Sequence, residues 1–187
     1  MRRPLLLTLT GGAGAGKTTL ATALAATAPR GPVRVLHGDD YYAATPERGL
    51  WRPDPAGTLR LDTGDPRSLD TPRLEEDTTR ALAAARVVVV EGLFARHVSP
   101  GEPCARFDVF VDLPADLRLV RKIRRKCLDG DFPLDVLLTN YVDHRRGAHE
   151  RHVETLRAAC DLVVDARRDA GVLARAVWGA VRGGGAG

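Results

Sequence analysis

Cysteine is scarce in this chain: Cys104, Cys127 and Cys160 stand far apart with no C-x-x-C pair, which speaks against a disulfide framework or a zinc site and leaves three reduced thiols. No apolar run approaches the roughly 20 residues a membrane span needs. Met1 to Pro4 followed at once by a short apolar strand does not read as a secretory leader, because cleavage there would remove the first motif, so the expected setting is cytoplasmic. Asparagine occurs once, at Asn140, and Tyr141 follows it, so the chain has no N-K-x-D element of the kind a guanine-reading switch uses. Internal repeats are missing as well. His149 and His152 share a helical face but have no third ligand nearby, which favours a surface pair over a metal site, and His37 and His97 read as structural.

What is present is 187 residues with 44% hydrophobic and 28% charged content and a formal net charge of +4. That suits one α/β domain over 1–182, with Gly183 to Gly187 expected as a disordered tail. The positive balance fits nucleic acid or a phosphate site equally.

The stretch Gly11 to Thr18, GGAGAGKT, satisfies G-x-x-x-x-G-K-[ST]. It follows the apolar run Leu5 to Leu9 and precedes the Ala/Leu-rich Thr19 to Ala28, so it sits between a strand and a helix. Gly11, Gly12, Gly14 and Gly16, with Ala13 and Ala15 between them, let successive backbone N–H groups close around a polyphosphate. The helix start at Lys17, Thr18 and Thr19 adds partial positive charge. Lys17 adds a full one, and the Thr18 hydroxyl is a Mg²⁺ ligand candidate.

Further along, Val33 to Leu36 reads as a strand running into His37-Gly38-Asp39-Asp40-Tyr41-Tyr42. A long irregular excursion, about 41–72, follows. Pro72 to Ala85 reads as a helix, and Val87 to Val90 as a strand buried on both faces, ending at Glu91-Gly92. Phe107 to Leu113 is a fourth strand. After Pro114 comes a helix with Leu119, Val120, Ile123 and Cys127 as a core stripe and Arg118, Arg121, Lys122 and Arg125 opposite it. Asp129 to Pro133 breaks that helix. A longer one carries Leu134, Leu137, Leu138, Tyr141 and Val142 on one face, continued by Val153 and Leu156. Asp161 to Asp165 is a fifth strand and Ala170 to Val181 a terminal helix. This alternation predicts a parallel sheet with its ligand at the carboxyl ends of the strands.

The acids at those ends narrow the chemistry. A carboxylate that accepts a hydroxyl proton and orients the oxygen suits phosphoryl transfer to an alcohol, and Asp39 is placed for it, although the Asp39-Asp40 pair also suits a turn cap. Glu91, with Asp39, is placed to complete the shell of Mg²⁺. At least one arginine of the basic stripe is expected on the moving phosphate.

Taken together, Gly11 to Thr18, HGDDYY, VVVVEGLF, RLVRKIRRK and the late AHE and AACDLVVD segments resemble the uridine kinase and nicotinamide riboside kinase branch of P-loop kinases, from Leu5 to Asp165. The resemblance implies a P-loop fold with a five-stranded parallel sheet. It implies ATP as donor, Asp39 as base toward a sugar hydroxyl, Glu91 near Mg²⁺, and Arg121 and Arg125 closing over the phosphates. It also implies a short lid, about 126–133. Tyr41, Tyr42 and either Asp62 or Asp65 are the candidates to contact the acceptor, a nucleoside or similar small molecule. The lid has Asp129-Gly130-Asp131 where the family carries arginines, so the clamp falls to Arg121, Lys122 and Arg125. The expected partners are a small-molecule acceptor and, at most, a second copy of the chain, with no nucleic acid and no membrane. Two other readings stay open. One is a nucleoside monophosphate kinase using Arg48, Arg52, Arg60 and Arg67; the other is a kinase for a different hydroxylated metabolite or antibiotic.

Overall fold

The computed structural model describes residues 3–29, 31–54 and 56–184. The core is a five-stranded, all-parallel sheet of β1 (Leu5–Thr10), β2 (Val33–His37), β5 (Val87–Gly92), β6 (Ala105–Asp112) and β7 (Leu162–Asp165), in the order β2-β5-β1-β6-β7. The helices are α1 (Lys17–Ala26), α2 (Thr71–Ala84), α3 (Ala115–Ile123), α4 (Leu134–Asn140), α5 (Arg146–His152) and α6 (Ala170–Gly184). The expected tail therefore begins inside α6, and residues 185–187 lie outside those described. Among the described residues no helix is long and apolar enough to cross a membrane, and the three cysteines are free.

The two-residue period of the strands divides the core. Leu7, Leu9, Val87 and Val89 face α1 and α6, where they meet Leu20, Leu24, Val177 and Trp178. Leu6, Val88 and Val90 face the other way onto Leu74 and Leu82 of α2. All six residues of β5 are buried, and each of its four valines contributes about 1.5–3 kcal/mol by leaving water. With the two central strands fixed in this way, the β1 and β5 ends lie side by side, Leu9 level with Glu91 and Thr10 with Gly92.

Three expectations change. The excursion is ordered: it contains the antiparallel hairpin β3 (Trp51–Pro53) and β4 (Leu59–Leu61) and a 3-10 turn over Pro66–Ser68. Helix α3 has no core stripe, because none of its residues is buried and Val120 is half exposed. The long helix is α4, a π-helical turn (Tyr141–Arg145) and α5; it ends at His152, and its Leu138 and Val142 are exposed rather than packed.

Candidate active site

Glycine shapes the loop between β1 and α1. Gly14 and Gly16 take φ of 84° and 98°, in the left-handed region. A Cβ on Gly14 would stand 2.7 Å from the Arg118 carbonyl, and one on Gly11 would stand 2.4 Å from the Val111 carbonyl. Gly11 thus serves the close pass beneath β6. Gly16 starts α1 without a side-chain cap, which leaves the first amides of the helix to bind an anion. Lys17 is buried and donates to the carbonyls of Gly11 (2.9 Å) and Gly12 (3.0 Å). Burial lowers its pKa, while the Glu91 and Asp39 charges oppose that shift.

The ends of β5 and β2 bring the acids to this loop. Glu91 is buried, and its Oε1 accepts from the Thr18 hydroxyl and meets His37 Nδ1, each at 2.9 Å. Thr18 and Glu91 thus offer two hard oxygens side by side, the donor type Mg²⁺ takes. Among the described residues no three His, Cys, Asp or Glu side chains form a metal cluster. The donor set therefore fits an ion that completes its shell with phosphate and water. A 3-10 turn, Gly38–Tyr41, carries the exposed Asp39 to the same cavity; its N-cap position is held by His37 and not by either aspartate, so the turn-capping alternative does not describe the pair. Among the described residues Asp39 holds no hydrogen bond. Asp40 is exposed and lines neither cavity. Tyr42 lines the cavity and donates to the Thr63 carbonyl at 3.0 Å, with its pKa pushed up, mainly by burial.

The cavity at the P-loop measures about 700 Å³ and runs from Ala13 to Thr19 toward Ala166, Ala170 and Leu173. The basic face of α3 turns toward it. Arg121 spans the gap, donating toward the carbonyls of Gly14 (3.5 Å) and Ala166 (3.4 Å), and Arg125 and Lys122 line the wall. Arg118 lies over Gly12, with its Nε on the Leu113 carbonyl at 2.9 Å.

A second cavity of about 430 Å³ adjoins the first through Ala13, Thr63, Leu93 and Lys122, between α3 and the 141–153 segment. Sequence reasoning placed the acceptor against Tyr41, Asp62 and Asp65, and the structure places all three elsewhere. Tyr41 is buried against Leu74 and donates to Asp77 at 2.8 Å, with its pKa raised to about 12 by burial and that bond. Asp62 accepts from Arg145 (2.8 Å), Arg52 (3.0 Å) and the Gly64 amide (3.1 Å), and Asp65 caps the Pro66 turn and holds Arg67 at 2.9 Å. The backbone between them, at Thr63 and Gly64, lines the cavity instead. The other excursion arginines are committed likewise, Arg48 to Asp70 and Arg60 to Asp54. That removes the observation behind a nucleoside monophosphate kinase. Arg145 and His149, which line the second cavity, were not among the sequence candidates. His149 lines the second cavity and is half-buried, and His97 is stacked on Phe94. Only the i, i+4 spacing of Arg145 and His149 hinted at a shared face.

Known proteins resemble this chain in sequence and in fold. The profile of the phosphoribulokinase / uridine kinase family matches residues 64–172. The uridine kinase of Deinococcus deserti is 27% identical over 188 residues, covering 87% of each chain. That of Streptococcus agalactiae is 23% identical, again with 87% of each chain covered. Among solved structures, shikimate kinase from Acinetobacter baumannii in complex with shikimate superposes with a TM-score of 0.55 at 16% identity, over 99% of this chain and 96% of that one.

Proposed function

The chain belongs to the phosphoribulokinase / uridine kinase family of ATP-dependent small-molecule kinases, and on that footing we propose that it moves the γ-phosphoryl group of ATP to a hydroxyl of a nucleoside or nucleoside-like molecule. The observation that carries the reading is Asp39, an unbonded carboxylate opening on the same cavity as Lys17, Thr18 and Glu91.

In this reading the P-loop amides and Lys17 hold the β- and γ-phosphates, and the apolar end at Ala170 and Leu173 receives the base. Thr18 and Glu91, with Asp39 nearby, hold Mg²⁺, which when bound neutralises charge on the phosphate oxygens. Asp39 accepts the proton of the acceptor hydroxyl as its oxygen bonds to the γ-phosphorus and the bond to ADP breaks. Arg121 and Arg125 balance charge on the group in transit. A kinase for another hydroxylated metabolite is the second reading. It is favoured by the commitment of Asp62 and Asp65 to arginines, which leaves neither acid free for ribose hydroxyls.

The test is ATP consumption by the purified chain against nucleosides, pantothenate and hydroxylated antibiotics, repeated with two variants. Asp39→Asn is expected to lower kcat by about 10²- to 10⁴-fold while ATP affinity stays within about threefold. Lys17→Ala is expected to leave less than about a tenth of the activity. Turnover surviving in Asp39→Asn would sink the reading.

A further inference from the structure

Basic side chains outnumber acidic ones on the wall of the second cavity. Arg118 and Lys122 line it from α3, and Arg145, Arg146 and His149 line it from the opposing segment. Its acids, Asp116 and Glu150, are exposed, and Glu150 already faces Arg146 at 3.4 Å. Arg145 shares the Asp62 carboxylate with Arg52, so two guanidiniums answer to one acid. Lys122 has cations for neighbours: burial, then Arg145, Arg125 and Lys126, push its pKa down to about 8, against a smaller opposing effect of Cys127. His149 is lowered by burial and by Arg118, against the opposing pull of Glu154, which it meets at 3.4 Å. Like charges gathered in a half-buried space raise one another's energy, and an anion placed among them relieves it.

The nucleotide does not account for this charge. Its own cavity supplies Lys17, Arg121, Arg125, Lys126 and Arg168, whereas Arg118, Arg145 and His149 line only the second. Aromatic surface for a base is limited there to the rings of Tyr141 and His149. Resting on the reading of Asp39 as the base toward a hydroxyl, we propose that the acceptor carries a second, acidic group, a carboxylate or phosphate, seated against Lys122, Arg118 and Arg145. The acidic group is a handle and the hydroxyl is the nucleophile, so Asp39 meets no anion it would repel.

Two measurements test this. In the first, sulfate is titrated by calorimetry into the full chain saturated with magnesium and a non-hydrolysable ATP analogue, so that the P-loop is filled. Saturable binding is expected, weakened at least tenfold in Lys122→Met; no saturable binding, or binding untouched by the substitution, overturns the proposal. In the second, acceptors are compared as matched pairs: glycerol with glycerate, pantothenyl alcohol with pantothenate, ribose with ribose 5-phosphate, and uridine as a neutral nucleoside. The acidic member of the productive pair is expected to have at least tenfold higher kcat/KM, and the carboxylate and phosphate arms separate the two sources. A neutral acceptor preferred while Asp39→Asn remains inactive overturns the inference alone. Activity that survives in Asp39→Asn overturns the reading beneath it.

Discussion

At the scale of single residues, the site depends on how closely two strand ends approach. His37 is level with Glu91 across β2 and β5, and Gly38 follows it immediately. A Cβ on Gly38 would sit 2.9 Å from the Glu91 carbonyl and 3.3 Å from the Cα of Gly92, both backbone atoms that cannot swing aside. Gly38 does not adopt a positive φ, so the clash is the whole objection to a side chain there. Gly38→Ala should therefore cost about 1–3 kcal/mol of stability, the usual range for overpacking. It should also displace Asp39, the next residue, and lower kcat more than it raises the KM for ATP. Gly101→Ala is the control: nothing lies within 4 Å of a Cβ there, and the change should stay within about 0.5 kcal/mol. Urea melts and steady-state kinetics on both variants decide it, and a Gly38→Ala chain as stable and active as the parent would remove close approach from the account.

At the scale of elements, what was legible in the sequence was what local spacing encodes. The P-loop announces itself by glycine, and the five strands by short apolar runs whose two faces both find helices. The excursion was not legible. Its hairpin strands are three residues long, and Pro53 ends the first. Its order comes from Arg–Asp pairs whose partners are chosen in space: Arg52 and Arg145 meet on Asp62 although Arg145 lies 83 positions away. The face of α3 was misread for a related reason, since an apolar stripe on a wheel does not say whether a core exists to receive it. These pairs give the excursion a pH dependence. Arg67, by hydrogen bond and charge, holds Asp65 down at about 2, and Arg60 holds Asp54 below the usual carboxylate range. A carboxylate whose pKa is depressed on folding contributes its stability above the unfolded value near 4 and loses it as pH falls toward the folded value. Trp51, whose indole donates to the carbonyls of Thr45 and Arg48, reports on this segment. In a Trp178→Phe background, its emission should shift between pH 4 and about 2. Arg67→Met should move that transition to higher pH. The change should be modest and should shrink in salt, because Arg67 is largely exposed. An identical midpoint in the two proteins would show that the pair does not hold the loop.

At the scale of the whole molecule, a rigid sheet faces a loosely held helical arm across the site. The P-loop and Glu91 belong to the buried strands, whereas α3 buries no residue and leads into a π-helical turn over Arg124–Leu128 before the break at Asp129. A second π-helical turn, Tyr141–Arg145, lies on the far side of the second cavity. Such turns often mark functional sites. The arm packs on the P-loop where Arg118 passes over Gly12 and Gly14, but its hydrogen bonds there are long: Arg121 reaches the Gly14 carbonyl at 3.5 Å and, beyond the loop, the Ala166 carbonyl at 3.4 Å. Polyphosphate would replace those long contacts with charge-assisted ones to Arg121 and Arg125, drawing α3 and the 126–133 segment over the site and excluding water from it. Hydrogen exchange separates this from a static arm. With magnesium and a non-hydrolysable ATP analogue, amides over 118–132 should exchange at least about tenfold more slowly, because opening must then work against ligand affinity. Those of β1 and β5 should be slow with or without it. In Lys17→Ala the effect should vanish, since the phosphates lose the charge that seats them. Exchange over 118–132 that ignores the nucleotide would mean the arm is fixed, and the clamp would then have to be assigned to side-chain motion of Arg121 and Arg125 alone.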